Sequence, residues 1–109
     1  MNKKKTAAFP AAEGPASRHA GEERRFYTYM LRCADGSIYT GWTTDLSRRL
    51  AAHNAGTASR YTRSRRPVEL ACWEEAASKE EAMSREWHWK RLTRAQKLEM
   101  ISIKKNSPM

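Results

Sequence analysis

The chain has 109 residues, with 21 Lys or Arg against 12 Asp or Glu and a net charge of +9. That length allows one domain. Its two cysteines and three scattered histidines match no zinc spacing, and no apolar run is long enough for a signal peptide or a membrane span. Cys33 and Cys72 read as reduced core thiols, and the cytoplasm is the expected compartment.

Residues 1–23, "MNKKKTAAFPAAEGPASRHAGEE", are rich in Ala, Lys, Gly, Pro and Glu and show no helical or strand period, so a disordered tail is expected there. About 80 residues remain to fold, enough for a small core. The tail carries only +1, which leaves +8 on residues 24–109. Within these, 44–66 hold Arg48, Arg49, Arg60, Arg63, Arg65 and Arg66 against Asp45 alone. A one-signed arginine patch points to a polyanion, most often nucleic acid, rather than to a merely soluble surface.

Residues 26–33 and 37–42 are rich in aromatic and β-branched types, and "ADG" separates them, which predicts a hairpin. Its register is open. A two-residue loop, Asp35-Gly36, sets Tyr29 opposite Trp42 and turns Tyr39 to the other side. A three-residue loop, Ala34-Asp35-Gly36, pairs Leu31 with Tyr39 and puts Tyr29, Leu31, Tyr39 and Gly41 on one face.

"TTDLSRRLAAHNAG" predicts a helix, with Thr43 or Thr44 as cap, Asp45 in the first turn and Asn54 to Gly56 at the end. Leu46 and Leu50 define its buried stripe, with Arg49 and His53 beside it. "NAGTASRYTRSRRP" reads as a basic loop closed by Pro67. In "VELACWEE", Val68, Leu70 and Cys72 alternate with Glu69, Ala71 and Trp73, a third strand. "SKEEAMSREWHWKRL" opens with a capping box, Ser78 and Glu81. Its row Ala82, Glu86 and Trp89, with Met83 alongside, should be buried, yet has a carboxylate at its centre. "TRAQKLEMISI" opens with a second box, Thr93 and Gln96, and Ala95, Leu98 and Ile101 form its inner face. The order β-β-α-β-α-α predicts an α+β fold: a small three-stranded antiparallel sheet flanked by helices.

Four features are odd for a plain core: Arg49, His53, Glu86 and the Tyr29/Tyr39 pair. Each has a structural explanation by itself. Together they match phosphodiester cleavage, which needs a cation at the phosphate oxygens, a ligand for a divalent metal and a group to take a proton from water. The planar fork of arginine suits phosphate, and a carboxylate suits Mg²⁺ or Mn²⁺. A histidine or a tyrosine of perturbed acidity can manage the proton.

Residues 25 to 103 resemble the GIY-YIG nuclease family, in its small single-domain bacterial branch. "YTY" (27–29) stands where that family has its first Gly-Ile-Tyr element, with Tyr27 in place of the glycine, and "YTG" (39–41) stands for the second. "GWTTDLSRRLAAHNAG" resembles the family's helix, with Arg49 eight residues after Gly41 and His53 fourteen after Tyr39. "YTRSRRPVEL" and "EEAMSREWHWKRLT" resemble the later elements, and Glu86 falls at the metal-binding glutamate. The resemblance implies a nuclease-like domain over 24–104, between the tail and a short C-terminal tail at 105–109. It implies that Tyr29 and Tyr39 line one site, hence the three-residue register. It implies Tyr29, Tyr39, Arg49, His53 and Glu86 as catalytic residues, with Glu86 holding Mg²⁺ or Mn²⁺. Gly41 would let the backbone approach, and Arg60, Tyr61, Arg63, Arg65 and Arg66 would follow a nucleic-acid backbone, DNA foremost. No separate site-selecting domain is recognisable, so little sequence specificity is expected. Two rivals remain: a non-catalytic nucleic-acid-binding module of the same fold, and a protein-interaction module anchored by Trp73, Trp87 and Trp89.

Overall fold

The computed structural model describes residues 25–105. The expected tail at 1–23 lies outside them, as does the expected C-terminal tail except Lys105, which ends the last helix. The elements are β1 (Phe26–Arg32), β2 (Ile38–Thr43), α1 (Leu46–Ala55), α2 (Arg60–Arg63), β3 (Glu69–Ala76), α3 (Lys79–Lys90) and α4 (Arg94–Lys105). The strands form one antiparallel sheet in the order β2-β1-β3. This is the expected α+β sandwich.

The hairpin adopts the three-residue register. Leu31 pairs with Tyr39, and Tyr29 with Gly41. Cys33 N–H donates to Ser37 C=O at 2.9 Å, which closes the loop Ala34-Asp35-Gly36. Gly36 sits at φ +88, the left-handed conformation that such a loop needs and that costs glycine nothing.

Alternation then sorts the strands between two cores. Tyr29, Leu31, Cys33, Leu46 and Val68 form one, with Tyr39, Leu50 and Leu70 packed against it. Met30, Cys72, Trp89 and Ile101 form the other, joined by Ile38, Leu92 and Met100. Helix α1 therefore covers one face of the sheet, and α3 and α4 cover the opposite face. On that second face the Thr28 hydroxyl donates to the Ala82 carbonyl at 2.9 Å, a buried tie between β1 and α3. The cysteines are free, buried and on opposite faces, and burial pushes the Cys72 thiol up to about 12, so it stays unionised.

Five local expectations change. Leu70 and Cys72 oppose consecutive residues of β1, so Ala71 is an extra residue and β3 is bulged there. Val68 and Leu70 consequently face α1, whereas Cys72 faces α3 and α4. Asp45, not Thr43 or Thr44, caps α1, its Oδ1 accepting from Arg48 N–H at 3.0 Å. The basic stretch after α1 is not all loop: Ser59 caps the single helical turn α2, accepting from Thr62 N–H at 3.1 Å. Met83 is exposed, because α3 turns Ala82 and Trp89 inward instead. Ala95 is exposed as well, since α4 meets the second core through Met100 and Ile101.

The capping boxes are real, with one variation. Thr93 and Gln96 satisfy each other's backbone N–H, at 2.9 and 3.1 Å. Ser78 Oγ accepts from Glu81 N–H, but the Glu81 carboxylate reaches one residue further back, to Ala77 N–H at 2.8 Å. Its other oxygen is held by Arg85 at 2.9 Å.

Candidate active site

Both α1 termini are firmly set, and this aims the side chains between them. After the Asp45 cap, Gly56 ends the helix at φ +84. Its N–H reaches His53 C=O at 3.1 Å while Thr57 N–H reaches Ala52 C=O at 3.0 Å, a Schellman closure. The Asn54 amide donates to Val68 C=O at 2.9 Å and accepts from Val68 N–H at 2.8 Å, which ties this end to the approach to β3. His53 is thereby driven under the sheet edge, where it is 1% exposed.

There it meets Tyr29. The Tyr29 hydroxyl lies 2.9 Å from His53 Nε2, and the residue is 3% exposed. The Tyr39 ring stands edge-on to the imidazole, centroids 5.0 Å apart. Gly41 makes the approach possible. A Cβ there would lie 2.7 Å from the Tyr29 hydroxyl oxygen and 3.3 Å from Tyr39 Cε2. Glycine is required at this position for space, not for backbone conformation.

Burial holds the Tyr29 phenol far above its ordinary pKa, so it resists ionisation, helped by Tyr39 and by the negative charge of Glu86, while Arg49 acts in the opposite sense. Burial pulls His53 down to about 4, with Arg49 adding to the effect. At neutral pH the pair is therefore a phenol and a neutral imidazole. Arg49 from α1 and Glu86 from α3 both act on this one phenol, although those helices lie on opposite faces of the sheet. Tyr29, Tyr39 and His53 are thus in direct contact, and the charges of Arg49 and Glu86 are felt at the same phenol.

Arg49 is exposed and, like Arg48, Arg60 and Arg63, forms no ion pair among the described residues. The Glu86 carboxylate is mostly shielded and takes Lys90 Nζ at 3.3 Å. Among the described residues no three His, Cys, Asp or Glu gather into a metal-binding cluster. A lone carboxylate oxygen suits a hard cation that keeps most of its waters, and does not suit a tetrahedral zinc site.

The expected nucleic-acid residues divide. Arg60 and Arg63 present their charge to solvent from α2. Arg65 is committed to structure: it pairs with Asp35 at 3.1 Å, donates to Tyr61 C=O at 2.8 Å and lies 3.9 Å over the Tyr61 ring. Arg66 lies across the end of α1, donating to Arg63 C=O at 2.8 Å and to Asn54 C=O at 3.4 Å. Tyr61 also stacks on Tyr39, centroids 5.9 Å apart. Of the tryptophans, Trp89 is core, and Arg91 lies 3.5 Å over the exposed Trp87.

Sequence reasoning missed Thr62 and Ser59. His53 Nδ1 lies 2.8 Å from Thr62 Oγ1, which lies 3.0 Å from Ser59 Oγ. The signal was present as Ser59-Arg-Tyr-Thr62, a serine cap three residues before the N–H it accepts, hidden in a run that reads as loop.

A sheet of three antiparallel strands with α1 against one face and α3 and α4 against the other, with two tyrosines and a histidine in contact and the charges of an arginine and a glutamate felt among them, is a nuclease-like domain. The description "GIY-YIG catalytic domain" matches residues 25–99, and the chain belongs to that family. It is 53% identical over 78 residues to the UPF0213 protein CPE1444 of Clostridium perfringens, covering 72% of this chain and 84% of that one. It is 54% identical over 71 residues to the UPF0213 protein VNG_2274C of Halobacterium salinarum, covering 65% and 92%. The solution structure of the UPF0213 protein BH0048 from Bacillus halodurans matches with a TM-score of 0.50 at 44% identity, over 75% of this chain and 87% of that one. That of EF2693 from E. faecalis matches with a TM-score of 0.52 at 33% identity, over 80% and 94%.

Proposed function

We propose that the chain is a divalent-metal-dependent endonuclease that hydrolyses phosphodiester bonds in DNA with little sequence specificity, in repair or recombination. The observation that carries this reading is the buried Tyr29–His53 hydrogen bond, with Arg49 and Glu86 acting on the same phenol.

Arg49 binds the scissile phosphate and stabilises charge developing on its oxygens. Tyr29 orients the attacking water. As it takes the water's proton, its own proton passes to His53 Nε2. Substrate binding favours that transfer. Arg49 is one cause of the low basicity of His53, and a phosphate that neutralises Arg49 removes that opposition. Glu86 is the residue that would hold Mg²⁺ or Mn²⁺, in competition with Lys90. When bound, the ion supplies Lewis-acid stabilisation at a non-bridging phosphate oxygen. Arg60 and Arg63 extend the contact along the nucleic-acid backbone.

The test is cleavage of labelled single-stranded, duplex and branched DNA with Mg²⁺ or Mn²⁺. The expected result is activity that falls by about 10²-fold or more in both Glu86→Ala and Arg49→Ala, with binding kept in Glu86→Ala. No cleavage of any substrate by the wild type, with salt-sensitive binding intact, would instead identify a non-catalytic binding module.

A further inference from the structure

His53 is held at both ring nitrogens, and its second partner lies outside the chemistry described above. Thr62 is fully buried, and its oxygen stands 2.8 Å from His53 Nδ1. We propose that Thr62 is a positioning residue of this site: its hydroxyl accepts the Nδ1–H of His53, which leaves Nε2 bare and facing the Tyr29 hydroxyl.

Placing the protons leads to this arrangement. Neutral imidazole carries one N–H, and a threonine hydroxyl carries one proton. If the N–H is on Nδ1, it donates to Thr62. The Thr62 proton then goes on to Ser59, whose Oγ lies at 3.0 Å and carbonyl oxygen at 3.5 Å. The Tyr29 O–H donates to Nε2, so the three buried donors, Tyr29 O–H, His53 Nδ1–H and Thr62 O–H, each have an acceptor. If the N–H were on Nε2, it would point at the Tyr29 oxygen. The phenol proton would then have no acceptor among the described residues and would have to turn to the water that Tyr29 is to deprotonate. That tautomer would also leave His53 unable to take the Tyr29 proton.

The threonine is itself immobilised. Its N–H is capped by Ser59, and Arg65 N–H binds its carbonyl at 2.9 Å. Arg65 in turn ties the α2 turn to Asp35 on the hairpin. The single turn that displays Arg60 and Arg63 therefore also sets the ring nitrogen facing Tyr29.

The kinetic part of this inference rests on the nuclease reading, and the tautomer part does not, so both are measured. Long-range ¹H–¹⁵N spectra of the labelled full chain, with His53 assigned through His53→Gln, should show its proton on Nδ1. Thr62→Val, which keeps the branched shape and loses the hydroxyl, should shift the ring toward the Nε2–H form. Its kcat should fall about tenfold with KM within about twofold, and Thr62→Ser should restore both spectrum and rate. A wild-type ring protonated at Nε2 overturns the proposal, as does a Thr62→Val protein with unchanged tautomer and kcat. If Thr62→Val does not fold, the wild-type and Thr62→Ser spectra decide. If the wild type cleaves nothing, the nuclease reading fails while the spectra still answer for Thr62.

Discussion

Gly41 is the residue at which one absent carbon decides the site. An alanine Cβ would fall 2.7 Å from the Tyr29 hydroxyl oxygen, and the buried ring has little room to swing aside. Gly41→Ala is expected to cost about 1–3 kcal/mol by overpacking and to lower turnover at least about tenfold. Thermal melts and cleavage rates of the purified variant check both. His53 sets a pH dependence of stability. Its folded value, about 4, lies below the ordinary 6.5, so the unfolded chain binds the extra proton in between. Stability from this residue is therefore complete above 6.5 and is lost as pH falls toward 4. Between pH 7 and 5 the loss should be about 2 kcal/mol. Urea denaturation at the two pH values, compared with His53→Gln, should show this increment in the wild type alone.

At the scale of elements, α1 carries Arg49 and His53 and depends on its cap. Asp45 accepts the Arg48 N–H, whereas Thr44 is exposed and takes no part. Asp45→Ala should destabilise by about 1 kcal/mol, and Thr44→Ala should stay within about 0.5 kcal/mol of the wild type. Equal effects in denaturant titrations would mean that the cap is misassigned. Among the described residues the helix packs in the first core through Leu46 and Leu50, with the buried His53 as its other anchor, so it benefits from this support. The α2 turn is held differently, by Ser59 and by the Arg65 contacts to Asp35 and Tyr61.

At the scale of the molecule, the basic excess is real but unevenly available. Arg65 and Arg66 are engaged by the fold, and Arg60 and Arg63 are not. Each free arginine that meets a phosphate contributes about one unit to the slope of log affinity against log salt. Arg60→Ala and Arg63→Ala should therefore each reduce the slope by about one unit for duplex DNA, measured by fluorescence anisotropy from low to moderate salt. Thr44→Ala removes no arginine and breaks no ion pair, and should leave the slope unchanged. No helix among the described residues is long and apolar enough to cross a membrane.

The sequence by itself determined the order of elements, because turn residues, caps and hydrophobic periods are local properties. Asp35-Gly36 marked the hairpin, Thr93 and Gln96 marked the last helix, and the spacing of Arg49 and His53 placed both beside the buried stripe of α1. It also marked Tyr29, Tyr39, Arg49, His53 and Glu86 as odd for a plain core, and the resemblance to the GIY-YIG family implied that they share one site. What it left open was decided by tertiary packing. The bulge at Ala71 moves Cys72 to the opposite face from Leu70, and an alternating pattern cannot reveal one inserted residue. The α2 turn reads as loop because four residues are too short to show a period. That Thr62 meets His53 nine residues away, and that the charge of Glu86 is felt at Tyr29, depends on how the layers stack. Non-local hydrogen bonds and charge contacts of this kind leave no spacing rule in the chain.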